Sequence, residues 1–398
     1  MRLKCLRCSA GWLAAVPYRG VLVLIGSGGG PHLSAVLFSE STSSAWRPEV
    51  RAAGAAQGSN SRNHSVPAFD ARHAAQRRTR DNPISRRRSG PNRVPAPVTM
   101  QPDRANRLVK PVLQWYAEQA RKLPWREAGV GAWPILVSEI MLQQTPVARV
   151  KPVYEAWIAR WPTPTALAMD SVGSAVRAWG NLGYPRRALR LHACAIAIVE
   201  RHGGEVPVSH HDLLALPGVG PYTAAAVASF AFGQRHAVLD TNVRRVLSRV
   251  IAGTERPRGA GPSTAERHRA EAIIPSDPAE ASRWAVASME LGALVCTARA
   301  PHCDACPVAR VCAWRASGQP AAESAPRRQT YVGTDRHARG RLLSMIRDHP
   351  QPTTEAELAA AWPLDAAQRE RALAGLVSDG LIEARPDRRY ALPGLRPG

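Results

Sequence analysis

The stretch "LPGVGPYTAAAVASFAF" at residues 216–232 limits the fold of this chain more than any other. Gly218 and Gly220 flank a single valine, Val219, and glycine permits the positive φ and the close backbone approach that a tight turn needs. Pro221 suits the first position of a helix, where its missing N–H costs nothing. The sequence therefore predicts a helix, a hairpin and a second helix.

The start of that second helix also predicts an anion site. The first N–H groups of a helix lack intrahelical partners, and the helix dipole favours negative charge there. Gly218, Val219 and Gly220 are therefore candidates to bind a DNA phosphate. A plain turn between two helices is the alternative, and it is the more common meaning of a lone G-V-G.

The charge distribution points to a polyanionic partner. The net charge is +22, and such an excess most often indicates nucleic acid. Residues 1–99 carry 15 Lys and Arg against 4 Asp and Glu, while the remainder carries 38 against 27, so half of the excess lies in the first quarter. Composition alone therefore overstates the basic character of the folded part.

Residues 1–99 are predicted to be a disordered basic leader. They are rich in Arg, Ser, Ala and Pro and have no sustained periodicity. The first thirty residues resemble a signal peptide, but Pro17 and Arg19 interrupt the apolar run and no A-x-A site follows. We interpret the segment as a leader ahead of a true start at Met100. A basic tail that tethers the protein to DNA is the alternative.

Helical periodicity begins at Arg104, and strand signals are nearly absent from there on, which predicts an all-α body. No apolar run reaches the length of a membrane span, so no membrane partner is expected. The predicted helices after the first one cover residues 134–149, 150–160, 171–178, 185–202, 210–215, 221–232, 241–251, 263–274 and 278–294.

A smaller unit is predicted after a polar linker at residues 315–332. Within residues 336–394, three helical stretches near 336–348, 355–361 and 366–379 precede "GLIEARPDRRYAL", which reads as two short strands around a turn. Three helices and a hairpin resemble a winged helix, although many small domains share this pattern.

Four cysteines crowd together in "CTARAPHCDACPVARVC". Cys296, Cys303, Cys306 and Cys312 are separated by six, two and five residues. So tight a cluster in an otherwise cysteine-poor chain indicates a metal site in a reducing cytoplasm. The spacing differs from that of zinc ribbons and from that of the bacterial ferredoxin run.

An acidic residue follows the hairpin at a distance of twenty residues, in "AVLDTNVRRVLSR". Asp240 stands at a predicted helix start, where a carboxylate is held ionised by the dipole. That is the state needed to face a cationic transition state. The alternative is that Asp240 is only an N-cap.

The hairpin, Asp240 and the C-x6-C-x2-C-x5-C loop together resemble the endonuclease III superfamily of DNA glycosylases. Within it, "SEIMLQQTPVARV" at residues 138–150 resembles the adenine glycosylase (MutY-type) branch. The resemblance covers residues 104–314. It implies a helix-hairpin-helix glycosylase domain whose four cysteines, at 296–312, hold a [4Fe–4S] cluster.

The resemblance also implies a division of catalytic work between two carboxyl groups. Glu139 is the acid that protonates adenine, and Asp240 stabilises the charge on the sugar. The apolar surroundings of Glu139 are expected to raise its pKa. From the residues alone, Glu139 reads equally as an acidic residue at a helix start.

Tyr222 stands where bifunctional relatives carry a lysine that attacks the sugar. A phenol forms no Schiff base, so the resemblance implies a monofunctional enzyme that leaves the abasic strand intact. Tyr222 is expected to support the catalytic carboxyl, and Asn242 to orient Asp240 and a water. The alternative for Tyr222 is a buried aromatic in a helix.

Two glutamines and a further tyrosine are expected to contact DNA. Gln143 and Gln144 are placed one turn below Glu139 on the same helix, with Gln144 as a wedge beside the opposite base. Two solvent-facing glutamines are the alternative. Tyr184 has a counterpart in the family, whereas Pro185 replaces a second, stacking tyrosine. The short tail also lacks the strand-rich Nudix-like domain of typical relatives.

The leading hypothesis is therefore a monofunctional adenine DNA glycosylase of base excision repair, acting on adenine opposite 8-oxoguanine or guanine. It is expected to be a monomer on double-stranded DNA, cytoplasmic and nucleoid-associated. An endonuclease III-like glycosylase and lyase for oxidised pyrimidines is the enzyme alternative. An iron–sulfur DNA-binding regulator is the non-enzyme alternative, and it leaves Glu139 and Asp240 unexplained.

Overall fold

The computed structural model describes residues 13–18, 21–26, 35–38, 102–322 and 330–394 of the chain. The chain divides into two units, Met1–Arg88 and Ser89–Gly398. In the first unit the described residues form a three-stranded antiparallel sheet of order β1-β2-β3. The strands are β1 (Leu13–Tyr18), β2 (Val21–Gly26) and β3 (Ala35–Phe38).

These strands differ from the disorder expected of residues 1–99. Each strand is a short apolar run with β-branched residues, which favours a strand, and the Arg-rich composition of the whole segment concealed it. The rest of the expected leader, including Met100, lies outside the described residues.

The second unit is built mainly of helices, which the sequence predicted. Asp240 caps α9 and Pro221 opens α8, as the local chemistry favours. Up to the cysteine loop the helices are α1 (Pro102–Gln119), α2 (Ala132–Leu142), α3 (Val147–Arg160), α4 (Pro164–Met169), α5 (Val172–Trp179), α6 (Arg186–His202), α7 (His210–Leu214), α8 (Pro221–Phe232), α9 (Thr241–Val250), α10 (Thr264–Glu271) and α11 (Pro278–Leu294).

One predicted helix, 134–149, is wrong. The chain instead ends α2 at Leu142 and begins α3 at Val147. Pro146, the N-cap of α3, restricts the residue before it and has no N–H to continue α2. The short helix α4 was not predicted.

The helical body has two apolar cores. One core is formed by α2, α3, α5, α6 and α8, and these helices make up the first lobe. The other core is formed by α1, α9, α10 and α11, and these make up the second lobe, together with Cys296 and Val308 of the cysteine loop. Helices α8 and α11 are in contact between the lobes. This arrangement brings α2 and α8 close to the N-terminus of α9.

The C-terminal unit packs against the first lobe. It follows the short helix α12 (Ala313–Ala316) and shares the buried core of the first lobe through residues such as Leu342 and Leu376. Its winged-helix likeness stays a prediction. Its elements are α13 (Asp335–Asp348), α14 (Glu355–Ala361), α15 (Ala366–Ser378), β4 (Glu383–Ala384) and β5 (Tyr390–Ala391).

Among the described residues, no helix is both long enough and apolar enough to cross a membrane.

Candidate active site

Glu139 and Tyr222 meet in the interior between α2 and α8. Glu139 lies in a helix whose side chains are almost all buried, and only 5% of its own surface is exposed. The Tyr222 hydroxyl donates a hydrogen bond of 2.8 Å to Oε2 of Glu139. Burial and the neighbouring carboxyls raise the pKa of Tyr222 well above 10, so the phenol stays protonated and donates.

Glu139 is able to hold a proton near neutral pH. Burial raises its pKa to about 7, and the negative charge of Asp240 acts in the same direction. The hydrogen bond from Tyr222 and the positive charge of Arg126 oppose this rise. A carboxyl group with such a pKa is suited to donate a proton as a general acid.

Asp240 occupies the N-cap of α9, as the sequence predicted. Its Oδ1 accepts a bond of 2.6 Å from the Val243 amide, and its Oδ2 accepts one of 2.7 Å from Nδ2 of Asn242. Burial raises the pKa of Asp240, while these hydrogen bonds and the charge of Arg245 oppose the rise. Asp240 has more donors than Glu139, which favours Asp240 as the ionised member of this coupled pair.

An ion-pair network centred on Glu290 includes Arg126, whose charge lowers the pKa of Glu139, and sequence reasoning missed it. Nη1 of Arg126 donates to Oε2 of Glu290 at 2.9 Å, and Nε of Arg121 donates to Oε1 at 2.6 Å. Glu290 has no exposed surface. A lone glutamate in the apolar stretch "ASMELGAL" was the signal that could have revealed this network.

Arg245 connects the site to the cysteine loop and was also missed. Its Nη2 donates to Oδ1 of Asn242 at 2.8 Å and to the Gly292 carbonyl at 2.6 Å, and its Nε donates to the Cys296 carbonyl at 2.7 Å. One guanidinium therefore fixes both the residue that orients Asp240 and the first cysteine of the loop.

The glycine hairpin joins α7 to α8. Gly218 has φ +81, and a Cβ there would lie 2.8 Å from Cβ of Arg190, so both backbone and packing require glycine. Gly220 has φ −97, which any residue adopts, so the turn uses a positive φ at Gly218 and not at Gly220. Val219 is buried, and its amide donates to the Leu216 carbonyl at 3.2 Å.

The amides available for a phosphate therefore come from the start of α8. The first intrahelical bond runs from the Ala224 amide to the Gly220 carbonyl at 2.9 Å, which leaves the amides of Tyr222 and Thr223 ahead of the ladder. No side chain stands within 4 Å of a Cβ at Gly220, so the backbone is open to close approach there.

The two glutamines do not lie on the same helix as Glu139, which corrects the sequence interpretation. Gln143 is the C-cap of α2, and its Nε2 donates to Oγ1 of Thr223 at 3.2 Å. Gln144 lies in the turn between α2 and α3, exposed, with φ +56. A non-glycine residue in the left-handed region is strained and often functional.

Tyr184 lies in a second strained loop and borders the same cleft as Gln144. It has φ +48, and 52% of its surface is exposed. The buried Arg187 joins the two turns, because one guanidinium binds groups from both. Its acceptors are the carbonyls of Ile140, Met141 and Gly183 and Oγ1 of Thr145, at 2.9–3.1 Å.

The four cysteines of the loop line one cavity together with apolar side chains. None of the four forms a disulfide. Nη1 of Arg249 donates to Sγ of Cys296 at 3.4 Å, and Nε2 of Gln319 donates to Sγ of Cys303 at 3.2 Å. In the described part of the chain, no group of three or more His, Cys, Asp or Glu is arranged to hold a metal ion.

The chain is similar in sequence to known proteins over the part that carries these residues. The family model described as "HhH-GPD superfamily base excision DNA repair protein" matches residues 137–273, which include Glu139, Tyr222, Asp240 and Asn242. An adenine DNA glycosylase of Mycobacterium tuberculosis (strain CDC 1551 / Oshkosh) is 51% identical over 284 residues, covering 71% of this chain and 92% of that protein. The chain belongs to the adenine DNA glycosylase family.

A second adenine DNA glycosylase is similar to this chain at nearly the same level of identity. The adenine DNA glycosylase of Mycolicibacterium smegmatis is 50% identical over 283 residues, covering 71% of this chain and 95% of that protein. Among solved structures, a thermostable thymine-DNA glycosylase has a TM-score of 0.49 and 26% identity, covering 54% of this chain and 98% of that one. Membership of the family confirms the resemblance inferred from the hairpin, Asp240 and the "SEIMLQQT" stretch.

Proposed function

We propose that this protein is a monofunctional adenine DNA glycosylase of base excision repair. It hydrolyses the N-glycosidic bond of adenine mispaired with 8-oxoguanine or guanine in double-stranded DNA. The observation that carries the proposal is the buried carboxyl pair, in which Glu139 has a pKa raised to about 7 and Asp240 caps a helix. Membership of the adenine DNA glycosylase family indicates that adenine is the base that is removed.

The two carboxyl groups lie in different environments, so each performs a different part of the reaction. Glu139 donates its proton to N7 of adenine, and the bond between N9 and C1′ breaks with its electron pair passing to the base. Ionised Asp240 faces the positive charge that develops on the sugar. A water then adds to C1′, and its proton passes to a carboxylate of the pair.

Asn242 and Tyr222 position these groups. Asn242 donates to Asp240 and accepts from Arg245, so its amide orientation is fixed. Tyr222 holds the Glu139 carboxyl through Oε2. Because Tyr222 supplies no amine, no Schiff base forms with the sugar and the abasic strand is left intact.

DNA binding rests on three parts of the first lobe. The amides at the start of α8, shaped by Gly218, Val219 and Gly220, receive a phosphate. Gln144 and Tyr184, each held in a left-handed conformation, face the base opposite adenine. Gln143 stays beside the active site, where its amide is anchored to Thr223.

The cysteine loop fits a [4Fe–4S] cluster held by Cys296, Cys303, Cys306 and Cys312. The four cysteines line one apolar cavity, thiolates are the usual ligands of such clusters, and N–H donors reach two of the sulfurs, as is common for cluster ligands. The bound cluster would supply structural support, since the hydrolysis needs no electron transfer.

The lyase and the DNA-binding regulator, the two alternative functions, each leave part of the site unexplained. A lyase of the endonuclease III type needs a lysine where Tyr222 stands. A DNA-binding regulator has no use for a buried carboxyl that is able to donate a proton. We further propose that the protein acts as a monomer in the cytoplasm, associated with the nucleoid.

A panel of duplexes tests the proposed substrate. Adenine opposite 8-oxoguanine, guanine or cytosine, and thymine glycol as a control, are each incubated with excess enzyme, and the released base is identified by chromatography. Release of adenine from the first two duplexes is expected. Release of thymine glycol without adenine would contradict the proposal and favour the pyrimidine enzyme.

A further inference from the structure

A cleft of about 890 Å³ opens at the junction of the first lobe and the C-terminal unit and is lined by residues of both. One wall carries Gln144, Tyr184 and Arg190, and the other carries Tyr331, Arg336 and Arg339. The residues proposed to face the base opposite adenine therefore lie on one wall of the cleft, and a second set of aromatic and basic residues lies on the other.

The charge of the cleft is positive. Asp379 is the one carboxylate among the described residues that line it, and both of its oxygens are engaged. Nη1 of Arg186 donates to Oδ1 at 3.1 Å, and Arg339 donates to Oδ2. The guanidinium of Arg336, which is exposed, lies over the Tyr331 ring at 5.1 Å from its centroid.

The two walls are fastened to each other by hydrogen bonds to the loop that carries Tyr184. Nη1 of the buried Arg347 donates to the Gly180 carbonyl at 2.7 Å, and its Nη2 donates to Oδ1 of Asn181 at 3.1 Å. In return, Nε of Arg177 donates to the Arg347 carbonyl at 3.1 Å. The separation of the walls is thus fixed by the fold, as a preformed binding site requires.

We propose that the C-terminal unit forms one wall of the DNA-binding site and that Arg336 binds the phosphates of the strand opposite the adenine. The Tyr331 ring holds the Arg336 guanidinium in place by a cation–π contact. The choice of strand rests on the proposed function, because it follows from the roles of Gln144 and Tyr184. Phosphate as the ligand follows from the charge of the cleft and from the fork of donors on arginine.

The test uses the full chain and a duplex with a tetrahydrofuran abasic site opposite guanine, which no glycosylase reaction consumes. Affinity is measured by fluorescence anisotropy over a series of salt concentrations for the wild type, Arg336→Ala, Tyr331→Ala and Arg341→Ala. Arg341 is the matched control, because it is exposed on the same helix, α13, but does not line the cleft.

Arg336→Ala is expected to weaken binding about tenfold and to lower the slope of log K against log salt by about one. Tyr331→Ala is expected to weaken binding without changing the slope, since it removes no charge. Arg341→Ala is expected to leave both close to the wild type. Equal behaviour of Arg336→Ala and Arg341→Ala would overturn the inference.

Single-turnover adenine release at saturating enzyme separates this inference from the proposed function. Arg336→Ala is expected to keep the wild-type rate once the DNA is fully bound. If the wild type releases adenine and Arg336→Ala binds like Arg341→Ala, only the inference fails. If the wild type releases no adenine, the proposed function fails, whatever the binding data show.

Discussion

Tyr222 and Glu139 lie 83 residues apart in the chain, and a hydrogen bond of 2.8 Å joins the phenol to the carboxyl group. The tyrosine therefore does more than replace a lysine. It holds the carboxyl group that we propose donates the proton, and its donated bond favours the ionised form of Glu139. In the proposed mechanism, the residue that stands in place of the lyase lysine thus also lowers the pKa of the general acid.

Replacing Tyr222 by Phe removes that bond and keeps the ring. The pKa of Glu139 should rise further, because the bond lowers it in the wild type. Since Glu139 acts in its protonated form, the rate falls as pH rises through its pKa, and this descending limb should move to higher pH. The rate at the optimum should fall about tenfold, as the carboxyl is less well held. Single-turnover rates against pH measure both effects, and an unmoved limb would speak against the contact.

Asp240→Asn should abolish excision while leaving DNA binding intact. Asparagine caps a helix as well as aspartate does, so the start of α9 should be preserved. The negative charge opposite the sugar is lost, and the rate should fall by at least about 10²–10³-fold. Single-turnover excision and affinity for an abasic-analogue duplex are measured on the same preparation. A rate within tenfold of the wild type would rule out the electrostatic role.

Glu139→Gln should abolish excision and, at high pH, stabilise the fold. The pKa of Glu139 is about 7 in the folded protein and 4.5 as its ordinary value. Ionisation is therefore disfavoured by folding, so stability is fully present below 4.5 and is lost as pH rises through about 7. Glutamine does not ionise, so the variant should not lose this part of the free energy of unfolding, which amounts to up to about 3 kcal/mol.

Melting temperatures of the wild type and Glu139→Gln at about pH 5 and about pH 8 check this. The advantage of the variant should be larger at the higher pH. An advantage that does not change with pH would show that Glu139 is not the group whose ionisation opposes folding.

Arg245→Lys should lower the excision rate and should also weaken iron binding by the cysteine loop. Lysine keeps the charge but lacks the fork that reaches Asn242, Gly292 and Cys296 together. Each acceptor left unsatisfied costs about 1–3 kcal/mol. Lower excision rate and a lower iron-to-protein ratio are expected in the same variant, measured by single-turnover assay and elemental analysis. Lys151→Ala, an exposed change on α3, serves as the control.

Local chemistry made much of the fold predictable. The hairpin, the cap at Asp240 and the starts of α8 and α9 all follow from residues close together in the chain. The split at Pro146 was visible in the sequence but was overridden by the periodicity around it. Short apolar strands inside a basic segment were concealed by the average composition of that segment.

The parts of the site that could not be predicted from the sequence depend on contacts between residues far apart in the chain. Glu290 meets Arg121 across 169 positions, and Arg347 meets Gly180 across 167. No local pattern encodes which buried arginine will find which carbonyl, because the partner is set by the packing of whole helices. For the same reason the sequence separated the C-terminal unit from the glycosylase body, whereas the two share one core.

The most direct test of the central claim is single-turnover cleavage of a duplex with adenine opposite 8-oxoguanine, read with and without alkali. The account predicts adenine release, with strand breaks only after alkali, and no trapping of enzyme on DNA by borohydride. Strand breaks without alkali, together with a trapped covalent complex, would contradict it. That result would mean that an amine elsewhere in the protein attacks the sugar and that the carboxyl pair does not work by hydrolysis.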